Sequence, residues 1–254
     1  MLLQGKKGLV LNVTNKNSIG WGIAEAARAH GAEVGIGAQN ADMVSRVERL
    51  IDGQDGYKIF TVDFQNADDM RRLKEEVVAT YGKIDFLVHS AAFAKKEDLQ
   101  GRFIDTSFDG FQLAMDVSVY SLVSLCQLLE DVINDDGSVI TLSYLGSVRA
   151  VGNYNVMGVA KAALESSIRY LSQDLGVRGI RVNTLSPGPI NTISARGVKD
   201  LMSMVTYVQD KAPLKREYGQ EECGGNAVYL LSDLSRGVTG QVVYVDSGYN
   251  IVGM

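Results

Sequence analysis

Residues 7–38, KGLVLNVTNKNSIGWGIAEAARAHGAEVGIGA, fall into four pieces: an apolar run, a small polar turn, a helical stretch over 18–30 and a second apolar run over 32–38. A strand that leaves a sheet, crosses as a helix and returns as a strand comes back parallel to the first, because the crossover carries the chain to the end where it began. The pattern then recurs. Further β-branched apolar runs are YKIFTVDF (57–64), DFLVHSA (85–91), GSVITLSY (137–144), IRVNTLSP (180–187) and GQVVYVDSG (240–248), seven in all. Between them, 67–81, 108–133 and 153–175 are long enough for helices. In the last, Val156, Ala160, Leu164, Ile168, Leu171 and Leu175 step by three or four and lay one apolar stripe on one face. The strands are apolar almost throughout, as expected when helices cover both faces of a parallel sheet. The expected fold is α/β: a single-domain Rossmann-type doubly wound sandwich over residues 1–254, with a seven-stranded parallel sheet. No repeat or linker divides the chain, and its prolines all fall late, at 187, 189 and 213.

Composition excludes several function classes. A net charge of -5 argues against nucleic acid as a main partner, since phosphate binding draws on clustered Lys and Arg. Cys126 and Cys223 are too few and too scattered for a disulfide framework or a cysteine zinc site, and no metal site is expected. The N-terminal residues carry no apolar run of signal-peptide length, and no stretch approaches the ~20 apolar residues of a membrane span. A cytoplasmic protein without membrane insertion is expected.

Doubly wound sheets bind ligands beyond the C-terminal ends of their strands. After the first strand, NVTNKNSIGWGIAEAA (12–27) feeds a helix whose N-terminus suits a dinucleotide pyrophosphate, with Ser18 and Ile19 at its opening. The G-x-G-x-x-G fingerprint is incomplete: Asn12 stands at the first glycine and Gly20 and Gly22 follow. Asn tolerates positive φ and serves as a turn glycine here, although an ordinary βα loop explains the same letters. After the third strand, Asp63 is placed to accept from an adenine amino group and Phe64 to pack on the ring; capping of the next helix is the other reading of Asp63. Ser90 and Ala91 pass beside the ribose. His89 reads as a satisfied core residue. Gln39 ends the second strand where the adenosine ribose lies, with Asp42 nearby and no cation before Arg46, so NADH is expected over NADPH; Lys16 is the one first-turn cation within reach of a 2′-phosphate.

Tyr154 and Lys161 are seven residues apart, which on a helix is about 700° of rotation and about 10 Å of rise. They therefore share a face. A lysine there holds a ribose hydroxyl pair, and its charge favours a tyrosine acting as donor or acid. Tyr144 ends the fifth strand over the same crevice.

NKNSIGWGIA (15–24), VHSAAFA (88–94), SYLGS (143–147), YNVMGVAKAALE (154–165), RVNTLSPGPINT (181–192) and GQVVYVDSGY (240–249) resemble, in order and spacing, the NADH-dependent enoyl-acyl-carrier-protein reductases of bacterial fatty-acid synthesis. These are a divergent branch of the short-chain dehydrogenases/reductases. Ordinary members use Y-x3-K; here Met157 stands at their tyrosine and Tyr144 at their serine. The resemblance implies that Tyr154 donates to the enolate oxygen of a trans-2-enoyl thioester, and that Lys161 holds the ribose. Tyr144, Ala94 and Met157 then line the acyl site. It further implies that Ile190, Asn191, Thr192, Ile193 and Ser194 meet NAD, and that the enzyme is a homotetramer acting on acyl carrier protein. Residues 190–216 follow the sixth strand and open over the nicotinamide, so a substrate lid is expected at about 192–210, a core helix being the other reading. In that lid Leu201, Met202, Met204 and Val205 are expected to form an apolar face, and Arg196, Lys199, Lys211, Lys215 and Arg216 a cationic one. Asn12 and Pro187 depart from the family pattern without removing a reacting group. Two other readings remain: a carbonyl or polyol oxidoreductase, disfavoured because Met157 has no proton to give, and a non-catalytic nucleotide-binding sensor.

Overall fold

The computed structural model describes residues 1–192, 195, 199–216 and 218–253. Strands β1 (Lys7–Leu11), β2 (Glu33–Ala38), β3 (Tyr57–Thr61), β4 (Ile84–His89), β5 (Ile133–Leu142), β6 (Arg181–Pro187) and β7 (Val242–Val245) form one sheet in the order β3-β2-β1-β4-β5-β6-β7. Every adjacent pair is parallel. Helices α1 (Ile19–Ala29), α2 (Ala41–Ile51) and α9 (Gln220–Leu231) cover one face; α3 (Ala67–Tyr81), α6 (Ser121–Leu129) and α7 (Asn155–Gly176) cover the other. The remaining α-helices among the described residues are α4 (Lys96–Leu99), α5 (Phe108–Met115) and α8 (Leu201–Lys211).

The period-2 geometry of the strands divides the core in two. Leu9, Leu11, Leu87, Val139 and Val182 pack toward α3, α6 and α7. Val10, Phe86, Val88, Ile140 and Leu185 pack toward α1, α2 and α9. Each fully buried Leu contributes about 1.5–3 kcal/mol relative to an exposed one. Polar side chains start the helices at the ends of the loops: Ser18, Asn40, Asn66 and Ser107 accept from amides of the first turns of α1, α2, α3 and α5.

Two elements differ from the sequence expectation. β5 starts at Ile133, four residues before the apolar run. Its register with β4 shifts between Ile84 and Phe86, and Asp136 takes φ 60°. An irregularity of this kind absorbs the polar Asn134–Asp136 stretch, which breaks the alternation that marks a strand. The single helix expected over 108–133 is three pieces: α5, a widened π-turn at Asp116–Tyr120, and α6, which stops at Leu129. Gly110, Ala114, Ser118, Leu122 and Cys126 are all buried and recur every four residues, slower than the 3.6 of an α-helix. The widened turn takes up that drift and keeps them on one face.

The same run, Phe108–Leu129, is 22 residues and is long and apolar enough to cross a membrane by length and composition, contrary to the expectation above. Its apolar side packs into the core, where Leu122, Leu125 and Leu129 are fully buried.

Candidate active site

The sheet order reverses between β1 and β4, and a cleft of about 660 Å³ opens beyond the C-terminal ends of β1, β4, β5 and β6. Asn12, Ser18, Ile19, Gln39, Asp63, Phe64, Ser90, Ala91, Ala94, Tyr144, Tyr154, Met157, Lys161, Ile190 and Thr192 all line it. Of the other expected positions, Asn191 is exposed and outside that wall. Ile193, Ser194 and Arg196 lie outside the described residues. From the expected lid, Thr192, Ala195, Leu201 and Met204 face the cleft. Met202, expected on the same apolar face, is 57% exposed, because it follows Leu201 by one residue and so points about 100° away.

On the β1 side the wall is mostly backbone and small side chains. Asn12 sits at φ 65°, the left-handed conformation expected of it, and its amide donates to Ser90 O at 3.4 Å. Ser18 caps α1 by accepting from Trp21 N at 3.3 Å, while its own hydroxyl donates to Asn15 O at 2.7 Å. The first amides of the helix are left without intrahelical partners and form a positive end facing the cleft. Gly20 closes against Ser90: a Cβ there would stand 2.7 Å from Ser90 Oγ. Gln39 Nε2 donates to Asp63 Oδ2 at 3.2 Å, joining the ends of β2 and β3. Asp63 does not cap α3; Asn66 does, and Asp63 accepts from Gln65 N. Arg46 pairs with Asp42 at 3.5 Å within α2.

On the β5 side the wall is functional groups. Tyr144 and Tyr154 pack edge to face with ring centroids 4.9 Å apart. Gly146 permits this, since a Cβ at that position would stand 2.5 Å from the Tyr154 ring. Tyr154 is the residue before α7, a correction to the expectation that it lies within the helix. Asn153 and Asn155 on either side have positive φ, 60° and 27°, so the chain turns sharply into the helix there. The turn keeps Tyr154 and Lys161 on one wall all the same. Burial, followed by the neighbouring Tyr144, pushes the Tyr154 phenol well above its ordinary value. Burial likewise pushes Tyr144 up to about 12. Both stay protonated at neutral pH. Lys161 Nζ donates to Leu142 O at 2.7 Å; burial brings it down from 10.5 to about 8, against an upward pull from Glu165.

Between the two sides, His89 is fully buried. The Ser121 hydroxyl donates to Val117 O at 2.7 Å, so it accepts from His89 Nε2 at 2.8 Å, and His89 Nδ1 accepts from Thr141 Oγ1 at 3.0 Å. Burial, then the Lys161 charge, lowers His89 to about 3, which keeps it neutral, as the core reading requires. Met157 is buried, and its sulfur lies 3.8 Å from the hydroxyl of Ser118, a residue of the π-turn. Cys126 and Cys223 are buried thiols, each pushed up to about 12 by burial.

The family model described as Enoyl-(Acyl carrier protein) reductase matches residues 13–250. The chain belongs to the enoyl-acyl-carrier-protein reductase family. Within that family it is 46% identical over 253 residues to enoyl-[acyl-carrier-protein] reductase [NADH] 1 of Rhizobium meliloti, covering 100% of this chain and 93% of that protein. The Bacillus cereus reductase, solved with NADP+ and indole naphthyridinone, is 44% identical with a TM-score of 0.97, covering 100% of this chain and 99% of that one. The Anaplasma phagocytophilum reductase, solved with NAD, is 41% identical with a TM-score of 0.96, covering 100% and 97%.

Several wall residues of this reductase-family cleft were not singled out in the sequence. Met43 reaches the β2 side from the first turn of α2, and Phe93, Leu99, Leu113 and Val117 close the far end. Bland apolar residues carry no local sign of a binding role. Ser143, also on the wall, is equally bland, but Glu165, buried on α7 outside the wall, did carry a sign: an acid four residues after a lysine is out of place in the buried face of a helix.

Proposed function

We propose that this chain uses NADH to reduce the trans-2-enoyl thioester carried on acyl carrier protein, the last step of the bacterial fatty-acid elongation cycle. The observation that carries this is the Tyr154–Lys161 pair on one wall of the cleft, with the non-acidic Met157 at the position of the ordinary short-chain tyrosine. A carbonyl reductase needs its acid beside the carbon that receives hydride; an enoyl reductase needs it at the thioester oxygen, two bonds further on, and Tyr154 is displaced accordingly.

The residues fit a nicotinamide dinucleotide. The start of α1 offers unpartnered amides, Ser18, Ile19 and Gly20 line the cleft there, and Lys161 holds its ammonium within it. Bound NADH supplies the hydride received by the β-carbon of the enoyl thioester. Asn12, Ser18 and Ile19 hold the pyrophosphate side, Asp63 and Phe64 the adenine, Ser90, Ala91 and Lys161 the riboses, and Ile190 and Thr192 the carboxamide end. Tyr154 Oη donates to the thioester oxygen as negative charge develops there, an interaction that strengthens toward the transition state. Tyr144, with Ala94 and Met157, orients the acyl chain and keeps water from the enolate. Arg46, the cation nearest Gln39 in the sequence after β2, already pairs with Asp42, which supports NADH over NADPH.

Residues 192–210 act as a substrate lid. Asn153 Nδ2 donates to Lys199 O at 3.4 Å and Tyr207 packs edge to face on Tyr249, so the described part from Lys199 onward rests on the tyrosine turn and the C-terminal residues. Lys199, Lys215 and Arg216 steer the acidic carrier protein. A homotetramer is supported by exposed apolar residues on α5 to α7, among them Phe108, Tyr120 and Tyr170, and a cytoplasmic location belongs to the same reading. The test is turnover of enoyl-acyl-carrier-protein followed by loss of NADH absorbance, with NADPH in parallel. Oxidation of NADH only when the enoyl thioester is present, and faster than NADPH, is the expected result. Reduction of carbonyl substrates instead, or no turnover, overturns the reading.

A further inference from the structure

The buried face of α7 carries a second charge. Glu165 follows Lys161 by four residues, one turn along the helix, and is 7% exposed. Its Oε1 accepts the Ser143 hydroxyl at 2.5 Å. Ser143 directly precedes Tyr144, and its amide donates to Leu185 O at 2.7 Å. Leu164 and Ile168, buried nearby on the same helix, show what packing alone selects. An acid in their company costs several kcal/mol of desolvation unless a cation and hydrogen bonds compensate it. Lys161 is placed to be that cation.

We infer that Glu165 is a positioning residue: a buried counter-charge that keeps Lys161 an ammonium inside the cleft and, through Ser143, fixes the Tyr144 backbone against α7. The inference rests on the NADH-dependent reading above. Burial lowers Lys161 and Glu165 acts against it, leaving the amine at about 8. The other groups that face the pair do not supply this charge. His89, from β4, is held neutral. Tyr144 and Tyr154 are protonated phenols. Tyr244, from β7, is a phenol raised by burial first and then by Glu165 and Asp246, with Arg149 acting in the opposite sense.

Glu165→Gln keeps the volume and an acceptor for Ser143 and removes the charge. Lys161 should then lose its proton at lower pH. NADH affinity, read by NADH fluorescence, should fall about tenfold per pH unit beginning about one unit earlier than in the unmodified chain. At about pH 6, where the lysine is protonated in both, affinities should agree within about twofold. Glu165→Asp keeps the charge and should restore the original profile, and Glu165→Met repeats the test should the Gln variant not fold. Ser143→Ala should raise the KM for the enoyl thioester while leaving the pH profile of NADH binding in place. Superimposable NADH profiles for Glu165→Gln and the unmodified chain overturn the inference. Absence of NADH-dependent enoyl reduction by the unmodified chain overturns the underlying reading instead, which the binding titration distinguishes.

Discussion

The two sides of the cleft are built by different means. The β1 side works through backbone: Asn12 in a left-handed turn, the open amides of α1, and Gly20 pressed against Ser90. The β5 side works through Tyr144, Tyr154 and Lys161, whose proton affinities burial has altered. One side therefore depends on chain geometry and tolerates changes of side chain that preserve φ. In the proposed reaction the other depends on the identity of single atoms, so a near-isosteric change there should be enough to remove the chemistry.

Tyr154→Phe is the sharpest way to break this contrast. It removes one oxygen and should lower turnover about 10²–10⁴-fold, with NADH affinity within about twofold. Full activity in that variant would mean that the β5 side contributes only shape. Lys161→Ala should act on the other quantity, weakening NADH binding about 10- to 100-fold in a fluorescence titration through loss of a charge-assisted hydrogen bond.

His89 lies on the seam between the sides and gives a pH test of how tightly they are joined. Its folded value, about 3, lies below the ordinary 6.5. As pH falls between those values the unfolded chain takes up a proton that the folded chain refuses, so stability is lost across that window. His89→Gln keeps hydrogen-bonding capacity without titrating, and its Tm should fall less steeply with acid. Parallel Tm curves would show that other groups dominate acid unfolding. The smallest effect belongs to the turn: Asn12→Gly should leave Tm nearly unchanged, whereas Asn12→Ala should cost about 1–2 kcal/mol from the left-handed backbone. Equal stability of the two would remove the geometric account of the β1 side.

The same contrast governs what was legible in the sequence. Strand positions and α3 could be read closely because burial on both faces imposes unbroken apolar runs, and Asn12 could be read because few residues accept its conformation. Tyr154 and Lys161 were legible as a spacing, yet the spacing alone placed the tyrosine inside a helix that begins one residue later. The entry of β5 through Asn134–Asp136 and the π-turn were hidden, since both are local departures from a period and a period count averages them away. Met43, Phe93 and Leu113 were hidden for another reason: an apolar residue that lines a cleft is chemically the same as one that fills a core.

The wide turn at Asp116–Tyr120 also says something about length. A π-turn is an α-helix that has accommodated one extra residue without letting its ends rotate. Deleting one residue from 117 to 119 would therefore close the turn to an α-helix and leave everything after it on the face it already occupies. Leu122, Leu125 and Leu129 would stay in the core. A deletion scan should accordingly find one shortening tolerated in this stretch and a second one not, since each further residue removed swings the rest of the helix by about 100°. Here the fold carries one residue more than its helix requires.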